Sequence, residues 1–380
     1  MRRGSAVLLL LAVGCTPPSY RLPLTARPAD AQRDSGEHRG IHEWWYWTGH
    51  LEAADGRRFG FELTFFDVAT PPGVHALGIL PAWWFQPRVL IGHVALTDAA
   101  GRRFLQAQKT DAGRKSKSAR GHVSQTAMDV RLDDWGAREV GSIAKHHLDA
   151  STPDFRLDLI ADSAKPAVLH GAHGVQAAGP AGVSYYVSQT RMKVGGTVQI
   201  GGETIPVTGL AWHDHQWGSW KQTDVHGWDW YGFQLDDQTE LMLYHVDPPS
   251  SGVLEDGGTF VDAAGQGVKV GAKDFSIAQT GRWSSPAFGR TYPMGWRIEV
   301  PSQNLSLLAT PVLENQEFDG RRSIGVVYWE GAVELKGSRN GAAVTGRGYV
   351  ELTNYSCKPV LVPDAKTREQ PCPDPVRVAP

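Results

Sequence analysis

Cysteine is scarce in this chain: its 380 residues contain three, Cys15, Cys357 and Cys372. No Cys-x-x-Cys pair occurs, which excludes a thioredoxin-like redox motif and a cysteine-based zinc site. Neither charge sign is in excess, with 38 Lys and Arg against 40 Asp and Glu. The totals therefore give no support for nucleic acid as a partner. Apolar stretches are short and punctuated by 43 Gly and 24 Pro, so many strands joined by turns are favoured over long helices. A Gly-x-Ser-x-Gly elbow and a Walker loop are both missing. His42-Glu43 begins like a zincin motif, but the fourth position after His42 is Tyr46 and the segment reads as a strand.

The N-terminus combines Arg2 and Arg3, an apolar run from Val7 to Leu11 too short to span a bilayer, and Gly14 before Cys15. It resembles a bacterial lipoprotein signal, with Ala12 where Leu is usual. The resulting expectation is a signal over residues 1–14, a lipidated Cys15, a flexible tether over 15–39, and export to a bacterial membrane as an anchored protein. Export to an oxidising compartment would let Cys357 and Cys372 bridge within the tail 357–380, worth about 3 kcal/mol by chain entropy. The remaining length exceeds what one core supports, so two domains are expected, over 40–218 and 219–356.

Those two segments repeat. "EWWYWTGHLEAADGRRFGFELTFF", from Glu43, reads as a hairpin turning at Asp55-Gly56, with Phe59, Phe61, Leu63 and Phe65 on one face. "GWDWYGFQLDDQTELMLYHV", from Gly227, has the same plan, and superposing Leu51 on Leu235 brings Trp44 onto Trp228. The ends of the halves also correspond, with Val207-Thr208-Gly209 answered by Val344-Thr345-Gly346. A repeat of this length is a duplicated domain, and about eight strands per copy point to paired barrels or strongly curved sheets. The proline-broken stretch after Thr70 reads as a lid over a barrel mouth.

"GLAWHDHQWGSW", residues 209–220, lies where the two repeats join. On an extended chain Trp212 and Asp214 share one face, and His213, His215 and Trp217 the other; a turn near Gly218 would bring both sets to one mouth. His213 and His215 could share a metal only if His245 or Asp229 supplied a third ligand. Such pairs are more often hydrogen-bonded histidines, so no metal is expected.

"EWWYWTGHL", "GRRFGFELTFF", "SYYVSQTRM", "TGLAWHDHQWG", "GWDWYGFQLDD" and "YWEGAVEL", in this order, resemble the AttH-like and carotenoid 1,2-hydratase (hydroxyneurosporene synthase) family over residues 40 to 356. The resemblance implies two tandem lipocalin-like β-barrels. It also implies an apolar ligand and, for the carotenoid branch, addition of water to a carbon–carbon double bond without a cofactor. The family's acid–base residues include the His and Trp of an Asp-His-x-Trp-Gly run, here Asp214 to Gly218, with a downstream Tyr and Asp. Tyr244 with Asp247, or Tyr231 with Asp229, could fill those places. Many relatives carry Glu where Gln216 stands, and Gln cannot transfer a proton.

Hydrating an alkene requires an acid able to protonate carbon, a surface that tolerates a carbocation, and a base for water. Asp214 and Asp229, each expected among aromatics, are the candidate acids, because burial raises a carboxyl pKa. His215 would orient or deprotonate water. Trp212, Trp217, Trp230, Tyr231, Tyr244, Trp45 and Trp47 would line the ligand, with indole faces able to stabilise a cation. The reading is thus a hydratase or hydrolase acting on an apolar molecule, isoprenoids being one candidate class, held in a greasy hollow into which the ionisable groups open. A non-catalytic carrier of such a ligand at the membrane surface, perhaps serving a transporter, is the alternative. A Trp-lined carbohydrate-binding module explains the aromatics but not Asp214-His215.

Overall fold

The computed structural model describes residues 27–38, 40–70, 75–76, 80–81, 88–112, 119–179, 182–220, 227–247, 256–353 and 355. The signal segment, Cys15, residues 15–26 of the tether, Cys357, Cys372 and most of the lid stretch after Thr70 lie outside the described residues. Within them the chain is all-β, its helical content being one 3-10 turn at Pro301–Gln303. No described helix is long and apolar enough to cross a membrane.

Two large antiparallel sheets follow one another along the chain. The first has 13 strands, in the order Arg103–Asp111, Arg88–Asp98, Arg58–Ala69, His42–Ala53, Glu203–Trp220, Gly182–Ile200, Phe155–Ser163, Lys145–Ser151, Trp135–Glu139, Asp129–Leu132 and Gly121–Val123, with two short strands added onto Gly182–Ile200. Its ends return to one another, because the Asp111 carboxylate accepts the backbone N–H groups of Arg120 and Gly121. The sheet is thereby nearly closed into a barrel. The second sheet, of 10 strands, is a half-barrel that includes Gly227–Leu235, Glu240–Asp247, Val326–Arg339 and Ala342–Leu352.

The turn at Asp55-Gly56 forms as its residues require, with Gly56 at φ +85°. Beyond it Phe59, Phe61, Leu63 and Phe65 all enter the first core, beside Trp45, Trp47 and Leu51. Fully burying each such side chain contributes about 1.5–3 kcal/mol. Tyr231, Phe233, Leu235, Leu241 and Leu243 do the same in the second core. In each half the first strand pairs with the last, and the residues that the repeat equates meet in register: Leu51 faces Gly209, and Leu235 faces Gly346.

The two halves meet along a seam whose contacts are reciprocal, as in a two-fold dimer. Trp44 stacks near its repeat-equivalent Trp228 at 6.4 Å, and Tyr46 meets its equivalent Trp230 edge-on at 5.5 Å. His50 Nε2 lies 2.9 Å from the Gly348 carbonyl, while at the equivalent position Gln234 donates to the Ala211 carbonyl at 2.9 Å. A buried ion pair of Arg191 and Lys165 with Glu240 also crosses the seam.

Three expectations need correction. The barrel interiors are filled by their own side chains, not hollow, because the inward positions carry bulky Trp, Phe, Leu, Ile, Met and Val residues. The described part of the supposed tether, residues 27–38, is packed: Ala29 and Asp34 are buried, Ala29 N–H donates to the His173 carbonyl at 2.9 Å, and Glu37 N–H donates to the Ser124 carbonyl at 2.8 Å. The described tryptophans lie mostly inside, with Trp45, Trp47, Trp135, Trp296 and Trp329 fully buried, so these offer no flat platform for a sugar.

The register makes a direct test. A Cβ on Gly209 would collide with the His50 carbonyl, and one on Gly346 with the Gln234 carbonyl, whereas one on Gly195 meets nothing. Gly209→Ala and Gly346→Ala should each lose roughly 1–3 kcal/mol in denaturant unfolding. Gly195→Ala should stay within about 0.5 kcal/mol of the parent.

Candidate functional site

Strand parity decides where the chemistry-bearing residues go. In the paired strands His42–Ala53 and Glu203–Trp220, Glu43, Trp45, Trp47, His213, His215 and Trp217 point to one side. Tyr46, Trp212 and Asp214 point to the other, into the seam. No turn near Gly218 merges the two sets; the strand continues to Trp220.

On the inner side, His215 Nε2 lies 2.9 Å from Glu43 Oε1, and His38 Nδ1 lies 2.9 Å from the same oxygen. The other oxygen, Oε2, accepts the backbone N–H of His38 at 2.7 Å. Glu43 is completely buried. Burial pushes its carboxyl up to about 7, against the opposing pull of His215. Burial likewise lowers His215 and brings His38 down to about 4, with the Asp34 carboxylate opposing the latter. Burial therefore disfavours charge on all three groups at once.

Aromatic rings hold this array in place. Trp217 stacks on His38 at 4.3 Å, and Trp45 on His215 at 5.0 Å. One step deeper, Trp47 stacks on His213 at 4.3 Å and donates its indole N–H to His146 Nδ1 at 3.0 Å. A cavity of about 30 Å³, room for a water molecule, is bordered by Asp34, Ser35, His146, Gln189, His213 and His215.

The seam holds a separate polar network. Asp214 accepts from Tyr186 Oη at 2.5 Å, from Trp212 Nε1 at 2.6 Å and from Ser188 Oγ. Burial raises its carboxyl to about 6, with those three donors opposing. Trp230 donates to Tyr186 Oη at 3.0 Å. His170 Nε2 lies 2.7 Å from Ser188 Oγ, so a serine, a histidine and an aspartate do assemble. Their order is wrong for a hydrolase triad, which needs the imidazole between the other two.

Asp229 faces the second core beside Tyr231 and accepts from Tyr355 Oη at 2.7 Å. Tyr244 packs at the edge of the seam. Asp214, His215 and Asp229 thus occupy three different places. Nor is the metal set built on His213 and His215 assembled: His213 Nδ1 lies against the Tyr46 carbonyl at 3.1 Å, and His245 pairs with Asp256 at 2.6 Å in the other half. Gln216 ties strand ends together through Gln176 and Ser184, each at 2.8 Å. His38, Glu43 and His146 were not singled out from sequence. Parity along "EWWYW" was the usable signal for Glu43, since it shares a face with Trp45 and Trp47.

A nearly closed lipocalin-like barrel joined to a half-barrel, with imidazoles and a buried carboxyl at the inter-repeat strand, defines a class of duplicated β-barrel proteins. The sequence profile of the AttH-like family matches residues 23–355, and the chain belongs to that family. An AttH protein from Nitrosomonas europaea is 32% identical, with a TM-score of 0.75 over 88% of this chain and 99% of that one. Kievitone hydratase from Nectria haematococca shares the fold at 15% identity, TM-score 0.66, over 88% and 94% of the two chains. The dehydratase asqC from Emericella nidulans is 26% identical over 222 residues, 53% of this chain and 59% of that protein, so the match spans less than two thirds of that relative.

The seam also carries a pair of facing acids. Glu62 Oε1 accepts from Thr64 at 2.9 Å and from Tyr328 of the other half at 3.1 Å, while Glu330 Oε1 accepts from Tyr46 at 2.6 Å. Their second oxygens have no hydrogen bond within the described residues. Burial raises Glu62 to about 8; burial and then the Glu62 charge raise Glu330 well above the carboxylate range. A carboxyl raised in the folded state contributes stability that is complete below its unfolded pKa and is lost as pH rises through the folded one. Above the range in which the buried histidines, all lowered by burial, change stability in the opposite sense, the thermal midpoint should therefore fall as pH is raised from about 7 to about 9, and Glu62→Gln should flatten that slope in a melting series.

Proposed function

We propose that this protein is a cofactor-free acid–base enzyme that adds water to a carbon–carbon double bond of an apolar molecule, or removes it in reverse. The observation that carries the reading is Glu43 Oε1 set 2.9 Å from both His38 and His215, with His215 on the border of a water-sized cavity. A proton placed among these three groups passes between carboxyl and imidazole without leaving the array. In the hydration direction the array donates a proton to one alkene carbon, the water oxygen bonds to the neighbouring carbon, and the proton that water sheds returns to the array. The indoles of Trp45 and Trp217, stacked on His215 and His38, hold the two imidazoles in place for that transfer. The names of the relatives, a hydratase and a dehydratase, describe the two directions of this chemistry.

Of the residues expected from sequence, His215 keeps a proton-transfer role with Glu43 and His38. Asp214 and Asp229 are assigned positioning roles, because each is committed to hydrogen bonds inside a packed region. The substrate is an apolar molecule, an isoprenoid being one class to test. With both barrel interiors occupied by side chains, its reacting end would enter at the barrel end, where His38 is the one partly exposed member of the array, at 20%. Incubation with apolar alkenes in heavy-oxygen water, followed by mass spectrometry, tests the reading. Glu43→Gln keeps the shape and cannot relay the proton, so turnover should fall about 10²–10⁴-fold with ligand affinity nearly unchanged. Unchanged turnover in both Glu43→Gln and His215→Asn would move the chemistry elsewhere; binding without turnover in the parent would favour the carrier.

We further infer that the protein is exported and anchored through a lipid on Cys15, on the strength of the signal-like segment before it. Cys15→Ala should shift the protein from the membrane to the soluble fraction of cells that express it. A parent protein found in the cytoplasm would refute the export reading.

A further inference from the structure

We propose that His38 Nδ1, Glu43 Oε1 and His215 Nε2 form a binding site for one divalent transition-metal ion of the zinc class. These three ligand atoms lie within 4.8 Å of one another. Zinc bonds to imidazole nitrogen and carboxylate oxygen at about 2.0–2.2 Å, and two histidines with one carboxylate is a set it accepts. An ion among them would require each imidazole nitrogen to draw back by about 0.5 Å from Oε1 and the two nitrogens to approach one another, since the ligands of a tetrahedral ion lie about 3.4 Å apart. His38 has that freedom, because it lies outside the strands, on the docked N-terminal segment.

The surroundings are those of a ligand set held in advance. Trp217 stacks on His38 and Trp45 on His215, which fixes both ring planes. Behind His38, Asp34 Oδ1 lies 3.8 Å from Nε2, the nitrogen that a metal would leave free, and Arg27 and Arg33 in turn clamp that carboxylate. A carboxylate behind a ligating imidazole is the usual second layer of such sites. The neighbouring cavity, bordered by His215, Asp34 and Ser35, has room for a water as fourth ligand.

The consequence for activity rests on the acid–base reading of the same atoms; the binding itself does not. A bound ion would occupy the lone pairs among which the proton moves, so zinc is predicted to inhibit turnover instead of supporting it. The test uses the full-length, tag-free chain stripped with a chelator and titrated with zinc chloride by calorimetry, and with cobalt chloride by visible absorption. One ion per chain is expected, with tetrahedral cobalt bands. Glu43→Gln and His38→Ala should each weaken binding more than about 100-fold, and Asp34→Asn about tenfold. His38→Ala alters a residue outside the sheet and keeps the test valid if Glu43→Gln fails to fold. The surface cluster of His147, Asp149 and Asp158 is the control, and His147→Asn should change nothing. No saturable binding, or binding equally strong in His38→Ala and Glu43→Gln, would overturn the site. Either result would leave the acid–base reading to its own turnover assay.

Discussion

The pairing of His42–Ala53 with Glu203–Trp220 sets the arrangement of everything else in this protein. Both strands sit in mid-sheet with neighbours on either side, so their register is fixed by backbone hydrogen bonds along both edges. Side chains alternate with a period of two, and a slip of one residue would exchange inside for outside at every position. Such a slip would send His213, His215 and Glu43 into the seam and bring Asp214 and Tyr46 into the core. The close approach of Gly209 to the His50 carbonyl and of Gly49 to the Leu210 carbonyl helps to exclude that alternative. The chemistry of each face is therefore a consequence of register.

The second consequence is the seam. Each half pairs its first strand with its last, so the outer face of that pair presents the same kind of surface twice, and the two copies pack against each other. Reciprocal contacts such as His50 with Gly348 and Gln234 with Ala211 follow from that symmetry. Symmetry also places acids close together, since Asp214 and Glu351 lie five residues beyond Gly209 and Gly346 in the two closing strands. Burial pushes the Glu351 carboxyl up to about 7, and the charges of Asp214 and Asp229 add to that rise against the Trp228 hydrogen bond. A seam of buried carboxyls, phenols and indoles adds little to stability over an apolar one, but its directional hydrogen bonds allow one relative placement of the halves.

Much of this architecture was legible in the sequence. Asp55-Gly56, the alternation of Phe59, Phe61, Leu63 and Phe65, and the equivalence of Leu51 with Leu235 are local or repeated signals, and strands and turns obey them. The position of the site was legible only in part. Parity correctly separated Asp214 from His215, but the expected turn that would reunite them does not exist. Burial within a filled barrel is a tertiary property that the residues alone do not carry, since a strand lining a hollow and one filling it have the same alternation. His38 escaped notice because the segment before the first strand has no periodicity. It docks through single contacts, such as Ala29 with His173, that leave no pattern to read.

A filled barrel also constrains how catalysis could work here. The array of His38, Glu43 and His215 is backed by indoles on the core side and covered by the docked N-terminal segment on the other except at the partly exposed His38, leaving space beside it for water but not for an enclosed apolar chain. Selectivity for a large substrate then has to be decided at the end of the barrel, before the reacting carbon meets the acid. The interior contributes one thing, a low-dielectric wall that raises the carboxyl and lowers both imidazoles, disfavouring the charged form of each. That division suits chemistry on an unactivated double bond. Protonating carbon needs a strong local acid, and a cation formed in bulk water would be captured at random, whereas beside a cavity of about 30 Å³ the capturing water occupies a defined position. The same tightness that excludes an enclosed ligand is therefore what would make addition of water selective.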